Sequence, residues 1–296
     1  MNSGILFALG AYLSWGLFPL YFRQIAAIPA LQIVAHRTLW SLAFVTIALL
    51  ALGRLTWLKQ VGAATWRRFA LSAALIALNW LTYVWAVGNG HVIDASLGYF
   101  INPLVNVALG FAVLHERPRR AQWFAVGLAA LGVVWLTVAA GRLPWVALVL
   151  ALSFGFYGLM RKTAALGALE GLSLETLVLA PLALGGMLWW SQDGSLAGQT
   201  AVDWAWLIGT GPLTAGSLLL FAAGARRLPL ATLGIVQYVS PTLQFLLGVF
   251  LFHEPMDATR LVAFGFIWAA LAVYSAEGLW QTRRALRAAR AVQALD

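Results

Sequence analysis

Residues 99–116, YFINPLVNVALGFAVLHE, decide the fold of this chain, because they return at residues 237–254 as QYVSPTLQFLLGVFLFHE. We call the shift that carries Pro103 onto Pro241 the repeat offset. The same offset aligns Leu109 with Leu247, Gly110 with Gly248, and the His-Glu pair 115–116 with the pair 253–254. It also aligns Trp66 with Trp204 and Gly127 with Gly265, and a slightly longer shift aligns Ser14 with Ser153 and Gly16 with Gly155. The chain is therefore predicted to contain two copies of one unit.

The amino-acid composition indicates whether these copies fold in water or in a lipid bilayer. Hydrophobic residues make up 62% of the 296 positions and charged residues 10%, whereas soluble proteins are about 25% charged. The apolar residues gather in runs of about 20, the length of helix that crosses a ~30 Å hydrocarbon layer. These features exclude a soluble enzyme, a nucleic-acid-binding domain and a disordered chain. The expected partner is the lipid bilayer, with no nucleic acid.

Ten runs are long enough to span the membrane, and each is predicted to be a helix because a helix satisfies its own backbone polar groups in lipid. The first run continues through Pro19 to Arg23 without a basic leader or a small-residue cleavage site, so we interpret it as a retained span and not a signal peptide. The predicted spans are 4–23, 31–53, 69–88, 93–114, 121–140, 144–161, 172–191, 203–224, 230–252 and 259–280.

Lysine and arginine residues set the predicted orientation. With a cytoplasmic N-terminus, fifteen of the nineteen bases fall in inside loops or ends and one, Arg37, falls within a span. The three in outside loops are Arg23, Arg142 and Arg260. This excess follows the positive-inside rule and predicts that both termini are cytoplasmic. The basic tail 281–296 is predicted either to lie on the anionic inner leaflet or to be a frayed, solvated end.

Each predicted copy contains five spans, an odd number, so the two copies have opposite orientations in the membrane. The copies are residues 1–140 and 141–280, followed by the basic tail. The predicted fold is therefore all-α and integral to the membrane, with ten helices in two inverted repeats around a central cavity. Such inverted repeats are typical of secondary transporters, whose substrate site lies near the midplane between the halves.

Two polar helix faces occupy matching positions in the copies. Tyr99, Asn102 and Asn106 lie on one face of the fourth span, and the repeat offset places Gln237, Ser240 and Gln244 on the ninth. Amides in hydrocarbon are costly unless they are paired or face water. The symmetry favours two faces lining a central, water-filled cavity, and the alternative is that they hydrogen-bond between packed helices.

Other side chains are weaker candidates for the same cavity. Asn79 and Tyr83 share a face of the third span, while Trp15 and Tyr157 lie in the first and sixth spans. The aromatic rings are suited either to stacking on a solute or to ordinary packing.

Charged groups within spans are rare and are either paired or functional. His36 and Arg37 lie roughly 10 Å into the second span, and Asp94 begins the fourth, which enters from the same side. Their similar depth favours a neutralising pair between Arg37 and Asp94. The alternatives are that Arg37 attracts an anionic or zwitterionic solute and Asp94 a cation or proton. His36 is either a carrier of a coupling proton or an ordinary hydrogen-bonded residue.

Other ionisable residues are expected at helix ends. Glu175 is interpreted as a loop ion pair with Arg161 or Lys162, and the two His-Glu pairs as markers of helix ends. The sequence contains no G-x-S-x-G, H-E-x-x-H or P-loop motif. It also lacks cysteine, which excludes disulfides and thiolate metal sites. We therefore expect no enzyme activity, no cofactor, no metal and no ATP site.

Several stretches of the sequence resemble one transporter family. They are GILFALGAYLSWGLFPLYF at 4–22, AHRTLWS at 35–41, ETLVLAPLAL at 175–184, and the HER and HEP span ends at 115–117 and 253–255. They resemble the RarD-type permeases of the EamA group in the drug/metabolite transporter superfamily. The resemblance covers nearly the whole chain. It implies a bacterial inner-membrane carrier that moves amino acids, metabolites or drugs, often outward.

The resulting hypothesis is a secondary transporter of a small solute, with a proton or another ion as a candidate coupling partner. Two alternatives remain at this point. One is an intramembrane enzyme acting on lipid-linked substrates, with His36 as base and Asp94 as its only candidate partner. The other is a receptor or assembly subunit that transports nothing, for which a sealed core and long extramembrane loops are expected; the loops here are short.

Overall fold

The computed structural model describes residues 3–164, 166–196, 198–225, 227–228 and 236–293. All regular structure in these ranges is helical. The principal helices begin with α1 (Ser3–Arg23), α2 (Ala30–Ala51), α3 (Ala63–Gly88), α4 (Val92–Leu114) and α5 (Arg120–Ala140). They continue with α6 (Trp145–Lys162), α7 (Ala168–Gln192), α8 (Ala201–Ala225), α9 (Val239–Leu246, extended as a π-helix over Leu247–Leu251) and α10 (Ala258–Gln293). A short 3₁₀ helix, Thr56–Gln60, precedes α3.

Nine of the ten predicted spans correspond in order to long apolar helices of the described chain, whereas the ninth corresponds to the shorter helix α9. Most ends agree closely, but α3 and α7 begin earlier than predicted, at Ala63 and Ala168. In the described residues nine helices are long and apolar enough to cross a membrane, and Val239–Leu251 is a shorter apolar helix. The first part of the predicted ninth span, 230–235, lies outside the described residues.

The last helix differs from the predicted division at residue 280. α10 runs without a break to Gln293, so the described part of the basic tail continues the final helix. Residues 294–296 lie outside the described part of the chain.

The packing of the helices has a regular pattern. α4 packs on α6 and α9 on α1, α1 packs on α8 and α6 on α3, and α2 packs on α8 and α7 on α3. Three further contacts join α2 to α7, α4 to α9 and α5 to α10. This set of contacts maps onto itself when the first five helices are exchanged for the last five.

Two glycines at matching positions allow close approaches between these helices. A Cβ at Gly16 in α1 would lie 2.8 Å from Leu243 and 3.3 Å from the Ser240 backbone in α9. A Cβ at Gly155 in α6 would lie 2.7 Å from Val105 in α4. The repeat offset carries Val105 onto Leu243, so the matching glycines meet matching neighbours. Glycine is required because its missing side chain lets the two helices touch.

Both His-Glu pairs end helices, as predicted. His115 and His253 have φ angles of 55° and 52°, and this left-handed conformation stops a helix. The next residue then turns back: the Glu116 N–H donates to Gly110 O at 3.0 Å, and the Glu254 N–H donates to Gly248 O at 2.9 Å.

The outer surface of the described bundle is apolar. Among the most exposed large side chains are Val138, Leu182, Trp189 and Phe250. A monomer in water rarely exposes such wide apolar surface, whereas lipid tails solvate it. The helix lengths and this surface together establish a multi-pass membrane protein.

The glycine contact on α1 yields a matched pair of variants. Gly16→Ala forces a methyl group against Leu243 and Ser240, and we expect it to lower the unfolding free energy by about 1–3 kcal/mol. Gly10→Ala on the same helix meets only Leu220, at an ordinary 3.5 Å. That control gains up to about 1 kcal/mol from better helix propensity. Thermal unfolding of the purified protein in detergent measures both, and equal midpoints would contradict this packing.

Candidate functional site

The predicted polar faces of α4 and α9 form matching hydrogen bonds. Asn106 Nδ2 donates to Asn102 Oδ1 at 3.3 Å, and Gln244 Nε2 donates to Ser240 Oγ at 3.4 Å. Each face also binds the backbone of a helix from the other half. Asn102 Nδ2 donates to Ala151 O at 3.1 Å, and Gln244 Nε2 donates to Trp15 O at 3.1 Å. In this conformation these amides therefore tie α4 to α6 and α9 to α1.

The members of the two faces differ in exposure. Asn102, Ser240 and Gln244 are buried, Tyr99 and Gln237 are half-buried, and Asn106 is exposed. Gln244 Oε1 is buried and has no hydrogen-bond partner among the described residues. A buried amide oxygen without a partner is costly, so it is available to a polar group that enters between the helices. A water-facing role for these side chains stays a prediction.

Asn79 connects the α4 face to α3 and α6. Its Nδ2 donates to Ser153 Oγ at 3.0 Å and to Leu150 O at 3.2 Å, while its Oδ1 accepts from Tyr99 OH at 3.1 Å. A comparable contact occurs in the other half, where Trp15 Nε1 donates to Ser217 Oγ at 2.8 Å. The repeat offset carries Asn79 onto Ser217. Asn79 and Trp15 thus each join two helices from different halves.

Arg37 lies in the buried centre of this region. Its side chain is 4% exposed, and Nε donates to Thr214 Oγ1 of α8 at 2.9 Å. The guanidinium carbon lies 4.2 Å from the ring centre of Trp80, a close cation–π contact. Phe18 and Phe22 of α1 lie farther away, with ring centres 5.7 and 5.5 Å from the same carbon.

The predicted pair between Arg37 and Asp94 is wrong. Asp94 Oδ2 lies 2.9 Å from His91 Nδ1, and Asp94 Oδ1 lies 3.4 Å from Arg260 in the first turn of α10. Similar depth in the membrane fixes only one of the three coordinates of a side chain. It does not show that two side chains of equal depth meet. Arg37 faces α8 and α3, whereas Asp94 faces the loop before its own helix and the start of α10.

His36 is buried at the neighbouring position and contacts a different part of α8. Its ring meets Trp204 of α8 edge-on, with ring centres 5.0 Å apart. Its Nε2 is buried without a hydrogen-bond partner among the described residues. The structure therefore separates His36 from Asp94 by contacts as well as by sequence.

Glu175 belongs to the polar network, although the sequence suggested a loop ion pair. It is fully buried in α7. Its carboxyl group accepts from Ser72 Oγ at 2.6 Å and from Tyr157 OH at 3.2 Å. Arg161 Nη1 lies 3.8 Å from the same group, so the expected partner is correct but the location is not. The missed signal is the repeat itself, since the repeat offset carries Arg37 onto Glu175.

A row of aromatic rings runs through this region. Tyr83 and Tyr99 have ring centres 5.9 Å apart, Tyr99 and Phe154 6.0 Å, and Phe154 and Tyr157 5.9 Å. The row leads from the surroundings of Arg37 to Tyr157, which donates to Glu175. The buried cation and the buried carboxyl group thus lie at the two ends of one aromatic path.

Two small pockets lie near opposite ends of the bundle. One, of about 60 Å³, is lined by residues that include His91, Asp94 and Arg260. The other, of about 50 Å³, is lined by residues that include Ser72 and Arg161, both of which contact Glu175. Pockets of this size hold a few waters at most. They mark where the two ends of the polar region approach the surface.

The Glu175 network generates a stability prediction. Glu175→Ala leaves Ser72, Tyr157 and Arg161 without their shared acceptor, and removing one partner of a buried ion pair costs about 3–5 kcal/mol. Glu116→Ala removes the exposed pair with Lys162, which we expect to cost no more than about 1 kcal/mol. The yield of folded protein and its unfolding midpoint in detergent compare the two variants. Equal losses would show that the Glu175 network does not stabilise the fold.

Comparisons with known proteins identify the family of the chain. The model of the EamA-like transporter family matches residues 2–138 and 143–276, one match for each half. An uncharacterized transporter of Pseudomonas aeruginosa is 49% identical, with 97% of each chain covered. The protein RarD of Streptomyces exfoliatus is 46% identical over 96% of this chain and 91% of its own. The protein RarD of Escherichia coli is 44% identical over 96% of this chain and 97% of its own.

A solved crystal structure with 20% sequence identity covers 92% of this chain and 97% of its own at a TM-score of 0.60, which supports the fold. The family match and the close relatives decide the identity. The chain belongs to the EamA-like transporter family and is a RarD-type permease of the drug/metabolite transporter superfamily.

Proposed function

We propose that this membrane transporter is a secondary carrier that exports small organic solutes from the bacterial cytoplasm by alternating access. Both termini lie on the cytoplasmic side, and ten helices form two inverted five-helix repeats, 1–140 and 141–280. The solute binds near the midplane between the repeats, beside the matched polar faces of α4 and α9. A proton or another ion supplies the driving force, because the sequence has no ATP site.

One observation carries this proposal: the polar faces of α4 and α9 form matching hydrogen bonds, both within each helix and with a helix of the other half. The bond from Asn106 to Asn102 corresponds to the bond from Gln244 to Ser240, at nearly the same length. Each face also binds the first helix of the opposite half. Exchange between two such equivalent arrangements is the basis of alternating access in inverted-repeat transporters.

The intramembrane enzyme is less well supported. It required a second catalytic group beside His36, and Asp94 was the candidate. Asp94 instead contacts His91 and Arg260, and His36 packs on Trp204. The names of the family and of the relatives also point to transport.

A transport screen tests the proposal directly. Purified protein in proteoliposomes is offered radiolabelled amino acids and related metabolites, with and without a pH gradient. We expect saturable uptake of at least one solute above protein-free vesicles. Gln244→Leu should lower that uptake about tenfold, because it removes the polar contacts of a buried amide.

The control for this screen is Thr137→Val in α5. It removes a hydroxyl of a membrane helix that bonds only its own backbone, at Val133 O. We expect its uptake to match that of the unmodified protein. Equal loss in both variants, or no uptake of any solute with folded protein, would count against a midplane site.

Cysteine accessibility tests the water-filled path. Asn106 on the polar face and Leu182 on α7 are both exposed in the bundle. We expect Asn106→Cys to react with a small polar thiol reagent because it faces water, and Leu182→Cys to react slowly because lipid covers it. The cysteine-free parent chain gives the background. Similar reaction rates at the two positions would show that Asn106 faces lipid.

A further inference from the structure

Arg37 is a buried cation with only part of its hydrogen-bonding capacity used. A guanidinium group has five N–H donors, and one of them, on Nε, binds Thr214 Oγ1. Within the described residues, its two terminal nitrogens form no side-chain hydrogen bond or ion pair like the one that Nε forms. The aromatic rings around it attract the charge but accept no strong hydrogen bond.

Three acids lie where helices of the bundle meet, and each is already engaged. Asp94 contacts His91 and Arg260, and Glu175 contacts Ser72, Tyr157 and Arg161. Glu254 accepts from the backbone N–H groups of Val92 and Ile93 at 2.6 and 2.8 Å. Among the described residues, no carboxylate forms an ion pair with Arg37.

Tyr83 supplies a second unused donor beside it. Its hydroxyl group is buried without a hydrogen-bond partner among the described residues. Both side chains also pack around Phe22, whose ring centre lies 6.1 Å from that of Tyr83 and 5.5 Å from Arg37 Cζ. Tyr99 differs, because its hydroxyl donates to Asn79.

We propose that Arg37 and Tyr83 form an anion subsite that binds the carboxylate of an organic acid. The inference rests on the proposed transport function and names the chemical class of its solute. The terminal nitrogens of Arg37 bind the two carboxylate oxygens side by side, and the Tyr83 hydroxyl donates to one of them. The rings of Phe18, Phe22 and Trp80 contact the apolar part of the solute.

Physical chemistry supports this pairing of charge and ring. An isolated charge in a low-dielectric interior is strongly destabilised, and an entering anion removes much of that cost. The planar fork of arginine matches a carboxylate in two parallel bonds, which a lysine ammonium does not reproduce. An amide of the same shape has no charge to offer, so the subsite discriminates between an acid and its amide.

The test measures binding of matched acid and amide probes to the purified full chain in detergent. The probes are sodium hydrocinnamate and sodium butyrate against hydrocinnamamide and butyramide, titrated to millimolar concentration at constant ionic strength. The readout is the thermal unfolding midpoint and the apparent affinity derived from it. We expect at least one acid to raise the midpoint in a saturable way and its amide to have little effect.

Variants assign the binding to the two side chains. Tyr83→Phe removes a hydroxyl that has no partner among the described residues, so it should fold normally and bind the acid about tenfold more weakly. Arg37→Gln should abolish the response. If Arg37→Gln does not fold, Arg37→Lys keeps the charge without the fork and should also bind about tenfold more weakly.

Two controls match these changes elsewhere in the protein. Tyr238→Phe removes another buried hydroxyl without a partner in the described chain, and its ring lies near Phe100. Arg23→Gln removes an exposed positive charge near Phe252. Both should leave the response to the acid unchanged.

Four outcomes would overturn the subsite. They are equal stabilisation by acid and amide, no stabilisation by any acid, equal stabilisation by sodium chloride, and an undiminished response in the Arg37 and Tyr83 variants. The chloride result would assign the position to an inorganic anion. Acid binding without transport in vesicles would leave the subsite intact and overturn the proposed function. Transport without a preference for acids would leave the proposed function intact and overturn the subsite.

Discussion

A polar group inside a lipid bilayer has no water to bind, and the structure depends on this constraint. Nearly every buried amide or hydroxyl must therefore find a partner on its own or a neighbouring helix. Asn79, Asn102 and Gln244 do so by reaching across to helices of the other half. The same bonds that satisfy these groups also hold the two halves together. A solute that enters between the halves must replace these partners. The polar groups of the bound solute then form the hydrogen bonds that the helices otherwise form with each other.

The repeat gives this constraint a particular form. Arg37 and Glu175 occupy matching positions in the two halves, and both are buried. Glu175 is satisfied by Ser72, Tyr157 and Arg161, whereas Arg37 retains unused donors beside aromatic rings. Matching positions of the two predicted copies thus carry opposite charges. We infer that such divergence is how a symmetric scaffold acquires a site with a preferred chemical class of solute.

Nine of the spans were predictable because each depends on a local property, the length of an apolar run. The helix ends at His115 and His253 were predictable for a similar reason, since the repeat aligns the two His-Glu pairs. Contacts between distant helices were not. Asp94 was assigned to Arg37 from depth alone, while its partner Arg260 lies at the start of the last helix, far along the chain. Rotation of each helix about its axis decides such pairs, and the hydrophobic pattern of a membrane helix, apolar on nearly all sides, contains little information about rotation.

The two His-Glu turns show that halves with matching backbone turns can form different side-chain contacts in one conformation. Glu254 is buried, and its carboxylate binds the backbone at the start of α4. Glu116, its counterpart, is exposed and pairs with Lys162. The backbone turns are nearly identical, so the difference comes from the surroundings and not from the sequence of the turn. A carrier with two related halves is open to a single side of the membrane at a time. In each such state, corresponding contacts are made in one half and absent in the other. Under the proposed mechanism, the unequal contacts of Glu116 and Glu254 belong to one such state. The free-energy difference between this state and the one open to the opposite side is then limited to the differences between matched contacts.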